Sequence, residues 1–338
     1  MELSSIENPT TPVTESGAPD VLRIPTAFVN VYAVGDPNVS WVLVDTGLPG
    51  FGNYVKRITE AHASSPPAAI ILTHGHFDHA GNAIALADEW DVPIYAHPAE
   101  LPFLTGRSNY APADSSMGGA IAQLARVFPL TGYDFSARVQ PLPEDGSVPG
   151  LEGWRWLHTP GHTNGHVSLW RESDRFLIAG DALATMDLDS WLTQITHTRE
   201  IARAPVPFTP DWDAAEASLS QLAELRPRTL AAGHGQIIND PDLATKLAQY
   251  ATRSQRPTYG RYARQAPVYD VKLGVISVPE PVVDRSLPWL IGGIGATVFG
   301  MVVLKALLSS GKKERNAPPR KNKLVLAGPI DQAIPSPS

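Results

Sequence analysis

Ten residues constrain what this chain can fold into more than any others: Thr73-His74-Gly75-His76-Phe77-Asp78-His79-Ala80-Gly81-Asn82. They place three imidazoles and a carboxylate within six positions. His74 and His76 are two apart, so in an extended segment both project to one side. Asp78 and His79 follow directly, giving this turn at least four metal ligands. Imidazole with carboxylate suits zinc, and suits iron or manganese less specifically. The chain has no cysteine, so thiolate sites and disulfides are excluded.

The same pattern recurs along the chain: an apolar strand, then a turn bearing a ligand-type residue. Val21 to Val34 reads as a strand or hairpin, and Ser40 to Asp45 as a buried strand ending in Asp45-Thr46-Gly47. Ala68 to Thr73 is a short buried strand that delivers the histidine turn. Helices are expected over about 53–63 and 82–90, with a strand over 92–96. Trp154 to Leu157 runs into Thr159-Pro160-Gly161-His162-Thr163-Asn164-Gly165-His166. Val167 to Trp170 and Arg175 to Ala179 form a hairpin that ends in Gly180-Asp181. Thr209-Pro210-Asp211 opens a helix to about Leu225, with Thr209 able to cap, Pro210 suited to the first turn and acid at the positive end of the dipole. Thr229 to Ala232 is a strand ending in Gly233-His234-Gly235, and a last helix spans about 241–253. The stretch 98–143 is irregular, rich in Pro, Gly and Ser, with a helical patch at 120–128. It reads equally as a substrate-facing lid, with Phe103, Tyr110 and Met117 shaping an apolar pocket, or as a packed surface insertion.

These motifs bring a family into view. VDTG at Asp45, THGHFDHAGN at His74 to Asn82, TPGHTNGH at His162, AGD at Asp181 and AGHG at His234 make the chain from about Val21 to Arg253 resemble the metallo-β-lactamase superfamily of hydrolases, most nearly its glyoxalase II-like branch. The resemblance implies an α/β fold, the αββα sandwich, with two sheets face to face and helices outside. It implies one metal held by His74, His76 and His162, a second held by Asp78, His79 and His234, and Asp181 bridging them. Two Zn2+ per chain are expected, with iron or manganese as alternatives. His stands at position 76, where the diiron flavoprotein branch would carry Glu. Two such cations about 3.5–4 Å apart can share a hydroxide that attacks a carbonyl. Asp78 is then both a ligand and the residue that orients the nucleophile, the catalytic assignment. Asp45 is expected either to hold a ligand imidazole by its second nitrogen or to cap its own turn. His166 reads as packing beneath the site or touching substrate, and His197 as a residue that could line the pocket. His62, His97 and His158 have no comparable context.

The leading function is a dinuclear zinc hydrolase of a small-molecule thioester, lactone or related ester. The alternatives are a mononuclear iron sulfur (persulfide) dioxygenase, a phosphodiester nuclease, a β-lactamase, and a membrane-tethered metal-binding module without catalysis. Charge argues against a nucleic-acid partner. The formal total is −7, and from Lys305 onward seven basic residues face two acidic ones. The first 304 residues therefore carry about −12, unsuited to binding phosphates.

Around the catalytic domain, placed at 21–255, the reading is a disordered polar arm over 1–20 without the pattern of a signal peptide, a Pro-rich linker over 256–285, a transmembrane helix over 286–308 and a basic disordered tail over 309–338. The span rests on Ser286 to Leu304, nineteen residues without a charge, long enough as a helix for about 28 Å of lipid. Its glycines would weaken a buried helix in water, the competing reading. Gly292, Ala296 and Gly300 offer a small-residue face for homodimer pairing in lipid. The expected location is a single-pass membrane protein with its catalytic domain on the cytoplasmic face, although the basic tail pulls the other way under the charge rule.

Overall fold

In the computed structural model the described residues are 15–117, 120–125, 133–196 and 198–283. The first sheet holds seven strands in chain order: β1 (Glu15–Ala18), β2 (Val21–Thr26), β3 (Val29–Asp36), β4 (Ser40–Val44), β5 (Ala69–Ile71), β6 (Ile94–Ala96) and β7 (Val139–Pro141). The second is built from β8 (Ser147–Val148), β9 (Leu151–His158), β10 (Val167–Arg171) and β11 (Phe176–Ile178), followed across β11 by β14 (Thr229–Ala231) and β15 (Ile238–Asn239). Two small ribbons pair β12 (Leu183–Ala184) with β13 (Ala202–Arg203), and β16 (Val268–Asp270) with β17 (Gly274–Ser277).

Strand β4 shows how the layers arise. Trp41 and Leu43 point to one face, where α1 (Gly52–His62) and α3 (Ala83–Trp90) lie through Val55, Leu86 and Ala87. Val42 and Val44 point to the other, where they meet Val167, Leu169, Phe176 and Ile178 of the second sheet. A strand buried on both faces has no polar alternate, so SWVLV reads as a continuous apolar run. On the far side of the second sheet, Leu219 and Leu222 of α7 (Trp212–Glu224) and Leu243 and Leu247 of α8 (Leu243–Ala251) cover Trp170, Leu177 and Leu230. The result is four layers, helix, sheet, sheet, helix. Short helices α2 (Phe77–Ala80), α4 (Leu101–Leu104), α5 (Ala120–Leu124) and α6 (Trp191–Thr196) sit in the connections.

Several sequence expectations need correction. Glu15–Ala18 of the expected arm pairs antiparallel with β2. The expected linker carries β16 and β17, because turns at Asp270 and Gly274 let two short β-branched runs pair. Thr209 does not cap α7; Asp211 does, accepting from Ala214 N at 3.0 Å. Thr209 donates instead to Pro205 O. Among the described residues no helix is long and apolar enough to cross a membrane. The longest, α7, has 13 residues, about 20 Å against the ~30 Å of a bilayer core. This overturns the placement as a single-pass membrane protein facing the cytoplasm. The 286–308 segment on which it rested, its Gly292/Ala296/Gly300 face and the basic tail lie outside the described residues.

One histidine pair away from the ligand turns gives the fold an acid limb. His97 stacks on His158 with centroids 4.1 Å apart, and its Nδ1 accepts from Ala99 N. Burial, then His158, lowers the His97 pKa to about 4. The unfolded chain, at about 6.5, takes up that proton first, so this contribution is complete above pH 6.5 and is lost as pH falls towards 4. His97→Asn keeps an acceptor for Ala99 N and removes the titration. Unfolding free energies from urea titrations between pH 7 and 4.5 should fall less steeply in the variant, by about 1 kcal/mol once the ring's part exposure is discounted.

Candidate metal centre

Four strands end at one edge of the sandwich, and each delivers ligand-type side chains. His74 and His76 follow β5, and α2 begins at Phe77, which puts Asp78 and His79 on its first turn. His162 follows β9, Asp181 follows β11 and His234 follows β14. The histidine turn is tied to the Asp45 turn by its backbone. Thr46 N donates to His79 O at 2.6 Å, and the Asn82 amide donates to Thr46 O and Leu48 O. The Asn82 Oδ1 accepts from Gly50 N and Gly52 N. Asp45 itself sits at φ 59°, a left-handed conformation that Asp tolerates better than most side chains.

The first cluster is a triangle of ring nitrogens. His74 Nε2 lies 3.1 Å from His76 Nδ1, His76 Nδ1 lies 2.9 Å from His162 Nε2, and His162 Nε2 lies 3.2 Å from His74 Nε2. A zinc tetrahedron with arms of about 2.0–2.1 Å has N···N edges of about 3.4 Å. The outer nitrogens are held: His74 Nδ1 by Thr73 Oγ1 at 3.1 Å and His162 Nδ1 by Thr209 Oγ1 at 3.3 Å. Burial and neighbouring imidazoles push all three below the ordinary histidine range, His76 to about 3. They are therefore neutral, with lone pairs that converge, an arrangement that repels unless a cation is shared.

The second cluster carries the same demand. His234 Nδ1 lies 2.8 Å from Phe28 O, and a carbonyl only accepts, so the proton sits on Nδ1. The Nε2 lone pair of neutral His234 then faces Asp181 Oδ2 at 3.2 Å and Asp78 Oδ2 at 3.6 Å. His79 repeats this: its Nδ1 lies 2.8 Å from Asp45 Oδ2, and its Nε2 faces Asp181 Oδ1 at 3.5 Å and Asp78 Oδ2 at 3.9 Å. His79 Nε2 and Asp181 Oδ1 are buried with no hydrogen-bond partner. A lone pair against a carboxylate requires either a proton or a metal between them. Without a metal, burial lowers the His79 and His234 pKa values, but Asp181 and the other carboxylates outweigh it and raise both. Asp181 is opposed by its own burial, yet His234 and His79 hold it well below the carboxylate range. Asp181 reaches both clusters, with Oδ2 also 3.5 Å from His162 Nε2. The donor set has the chemistry to hold metal: three groups could each take a cation, His74 with His76 and His162, Asp78 with His79 and His234, and His74 with His79 and Asp181, and Asp181 lies 3.5 Å from imidazoles of the first two.

Asp45 takes the first of its two expected roles, with Oδ2 meeting His79 Nδ1 at 2.8 Å, while its Oδ1 reaches across to accept from Thr73 N at 2.8 Å rather than capping its own turn. His166 is fully buried beneath the cluster, where its Nε2 accepts from Asp181 N at 2.8 Å and its Nδ1 meets Thr159 O. His197 lies outside the described residues. Tyr110 stands over His76 at 4.6 Å, and Phe103 stacks on Tyr110 at 4.2 Å. Met117 packs instead against the Val206, Trp212 and Tyr262 cluster. Sequence reasoning missed Glu100, a buried carboxylate that accepts from Gly75 N, Tyr110 OH, Thr163 Oγ1 and Gly165 N. Nothing local marks it. Two adjoining clefts open on the centre, sharing His76, His162 and Phe208.

The family described as the metallo-beta-lactamase superfamily matches residues 24–234, most of the two sheets and all seven ligand-type residues. The chain belongs to the metallo-β-lactamase superfamily. A curated relative, the probable metallo-hydrolase YflN of Bacillus subtilis (strain 168), is 40% identical over 234 residues, covering 67% of this chain and 88% of that one. A second, the probable metallo-hydrolase YybB of the same organism, is 30% identical over 218 residues, covering 64% of this chain and 84% of that one. Among solved structures, the metallo-beta-lactamase family protein TTHA1429 from Thermus thermophilus shares the fold at a TM-score of 0.50, with 23% identity over 70% of this chain and 80% of that one. As a member of the metallo-β-lactamase superfamily with its ligand-type residues assembled, the protein is an enzyme of the metallo-hydrolase class.

Proposed function

We propose that this metallo-hydrolase is dinuclear, binds zinc, and cleaves a small thioester, lactone or related ester. The observation that carries the reading is Asp181. It is a buried carboxylate within 3.2–3.5 Å of imidazoles from both clusters, with one oxygen left without a partner. When bound there, a metal pair supplies Lewis acidity to a reacting carbonyl and lowers the pKa of water. Asp45, Thr209 and the Phe28 carbonyl fix which ring nitrogen of His79, His162 and His234 faces the cleft. Asp78 lines the larger cleft, where its carboxylate orients the attacking water. Assembly of Asp78, His79 and His234 as a second ligand group weighs against the mononuclear sulfur dioxygenase. The acidic body of the chain favours a small molecule over a nucleic acid.

The test is metal analysis of purified protein alongside a panel of thioesters, lactones and β-lactams. About two metal equivalents and chelator-sensitive hydrolysis of a thioester or lactone are expected. Fewer than one equivalent with no hydrolysis overturns the reading, and oxygen uptake on glutathione persulfide would transfer it to the dioxygenase.

A further inference from the structure

We propose that residues 256–283, beyond the stretch the superfamily matches, complete the substrate cleft with Tyr262 and Tyr269 and make it a subsite for the uncharged, apolar half of the substrate. The proposal rests on the hydrolase reading above and adds what that hydrolase accepts.

The segment is fastened to the loop at 105–117 that forms one side of the cleft. Arg261 N donates to the buried Asp114 carboxylate, Tyr262 OH donates to Pro112 O at 2.6 Å, and Val275 N donates to Ser108 Oγ at 3.1 Å. Asp114 also accepts from Ser116 N and Ser116 Oγ, so the loop and the strap share one carboxylate. Gly274, at φ 83°, lies so close to Ser108 that a Cβ would stand 2.4 Å from the Ser108 Cβ. The strap is thus seated by specific contacts, and it brings Tyr262 and Tyr269 to the cleft that borders His76 and His162.

That cleft is mainly aromatic. Among the described residues no Lys, Arg, Asp or Glu lines it; beside His76 and His162 its walls are Phe103, Tyr110, Phe208, Tyr262 and Tyr269, with Ala111, three prolines and the uncharged polar Thr163 and Asn164. The polar ends of two of these rings are already used, Tyr110 OH on Glu100 and Tyr262 OH on Pro112 O, which leaves their carbon faces to the cleft. The larger cleft continues with Phe77, Ile121 and Leu188 beside the ligands. A carboxylate or phosphate seated here would lose water and find no cationic side chain among the lining residues, Arg261 standing 5.9 Å over the Tyr262 ring. An aliphatic or aryl acyl group loses nothing polar and gains aromatic contact.

The experiment compares octanoyl, acetyl and succinyl thioesters of one neutral thiol on the metal-loaded full chain, wild type, Tyr269→Ala and Tyr269→Leu. Wild type should favour octanoyl over succinyl by at least tenfold in kcat/KM. Tyr269→Ala should raise KM for the octanoyl ester about tenfold and affect the acetyl ester far less, while Tyr269→Leu, which keeps apolar bulk, should restore most of the loss. Equal use of the succinyl ester, or a uniform fall in kcat across all three, overturns the proposal. Binding of octananilide, followed by tryptophan fluorescence, separates the two readings. If no ester is cleaved, the hydrolase reading fails; binding lost in Tyr269→Ala then supports the subsite, and binding unchanged in Tyr269→Ala overturns it.

Discussion

Asp181→Asn is expected to lower kcat/KM by about a thousandfold or more and to cut metal content from about two equivalents to about one. The amide keeps the shape of the carboxylate and most of its contacts, so the backbone bond from Asp181 N to His166 Nε2 should persist. What changes is charge, at a point where three imidazoles converge. Oδ2 lies 3.2 Å from His234 Nε2 and 3.5 Å from His162 Nε2, and Oδ1 lies 3.5 Å from His79 Nε2. If the site holds the two dications proposed, one negative charge between them would be worth far more in so buried a place than the same charge at a surface. The amide offers one weak acceptor and two N–H groups, and the latter would point at a cation. Elemental analysis after dialysis measures the stoichiometry, and melting with and without added zinc measures the coupling to stability. The metal-induced rise in Tm should shrink in the variant, because a weaker site contributes less by mass action. A variant that retains two equivalents and full activity would show that Asp181 is not shared.

Much of this centre was legible because its chemistry is local. Residues 74–79 gather four ligand-type side chains behind one apolar strand, and the strand's own pattern places them at a sheet edge. Strands such as Val42–Val44 and Phe176–Ile178 show as apolar runs because they are buried on both faces. What escaped was set by residues that only the fold brings together. Thr209 looked like a helix cap, but Asp211 holds α7 and Thr209 turns towards His162. The proline-rich stretch after Arg256 looked like a spacer. Its turns instead lay a two-stranded ribbon beside Ser108, and no periodicity in strands of three and four residues announces that. Asp45 could be narrowed to two roles from its place after β4; it fills the imidazole-holding one, and its other oxygen takes Thr73 N, a partner that only the fold brings near.

Glu100→Gln is expected to weaken metal binding at the His74, His76 and His162 group by about 10- to 100-fold and to destabilise the metal-free protein by about 2–3 kcal/mol. Each oxygen of Glu100 faces one hydroxyl, which can turn, and one backbone N–H, which cannot. Oε2 takes Gly75 N and Tyr110 OH, and Oε1 takes Thr163 Oγ1 and Gly165 N. A glutamine must therefore present its NH2 to a backbone N–H whichever way it flips, leaving a buried donor facing a donor. Burial raises the carboxyl pKa, and the bonds from Thr163, Tyr110, Gly75 and Gly165 work against that rise by favouring the anion. Gly75 lies between His74 and His76, and Thr163 follows His162, so this one side chain joins the two loops that bring the ligand triangle together. Loss of a single bond lets those loops shift, and nitrogens 2.9–3.2 Å apart tolerate little shift. Chelator competition reads the metal affinity and urea unfolding of the metal-free protein reads the stability. A role in packing alone would lower stability and leave the affinity where it was, and that outcome would sink Glu100 as a positioning residue. Thr163→Val removes one of the four donors without reversing any, and should fall between wild type and Glu100→Gln on both measurements.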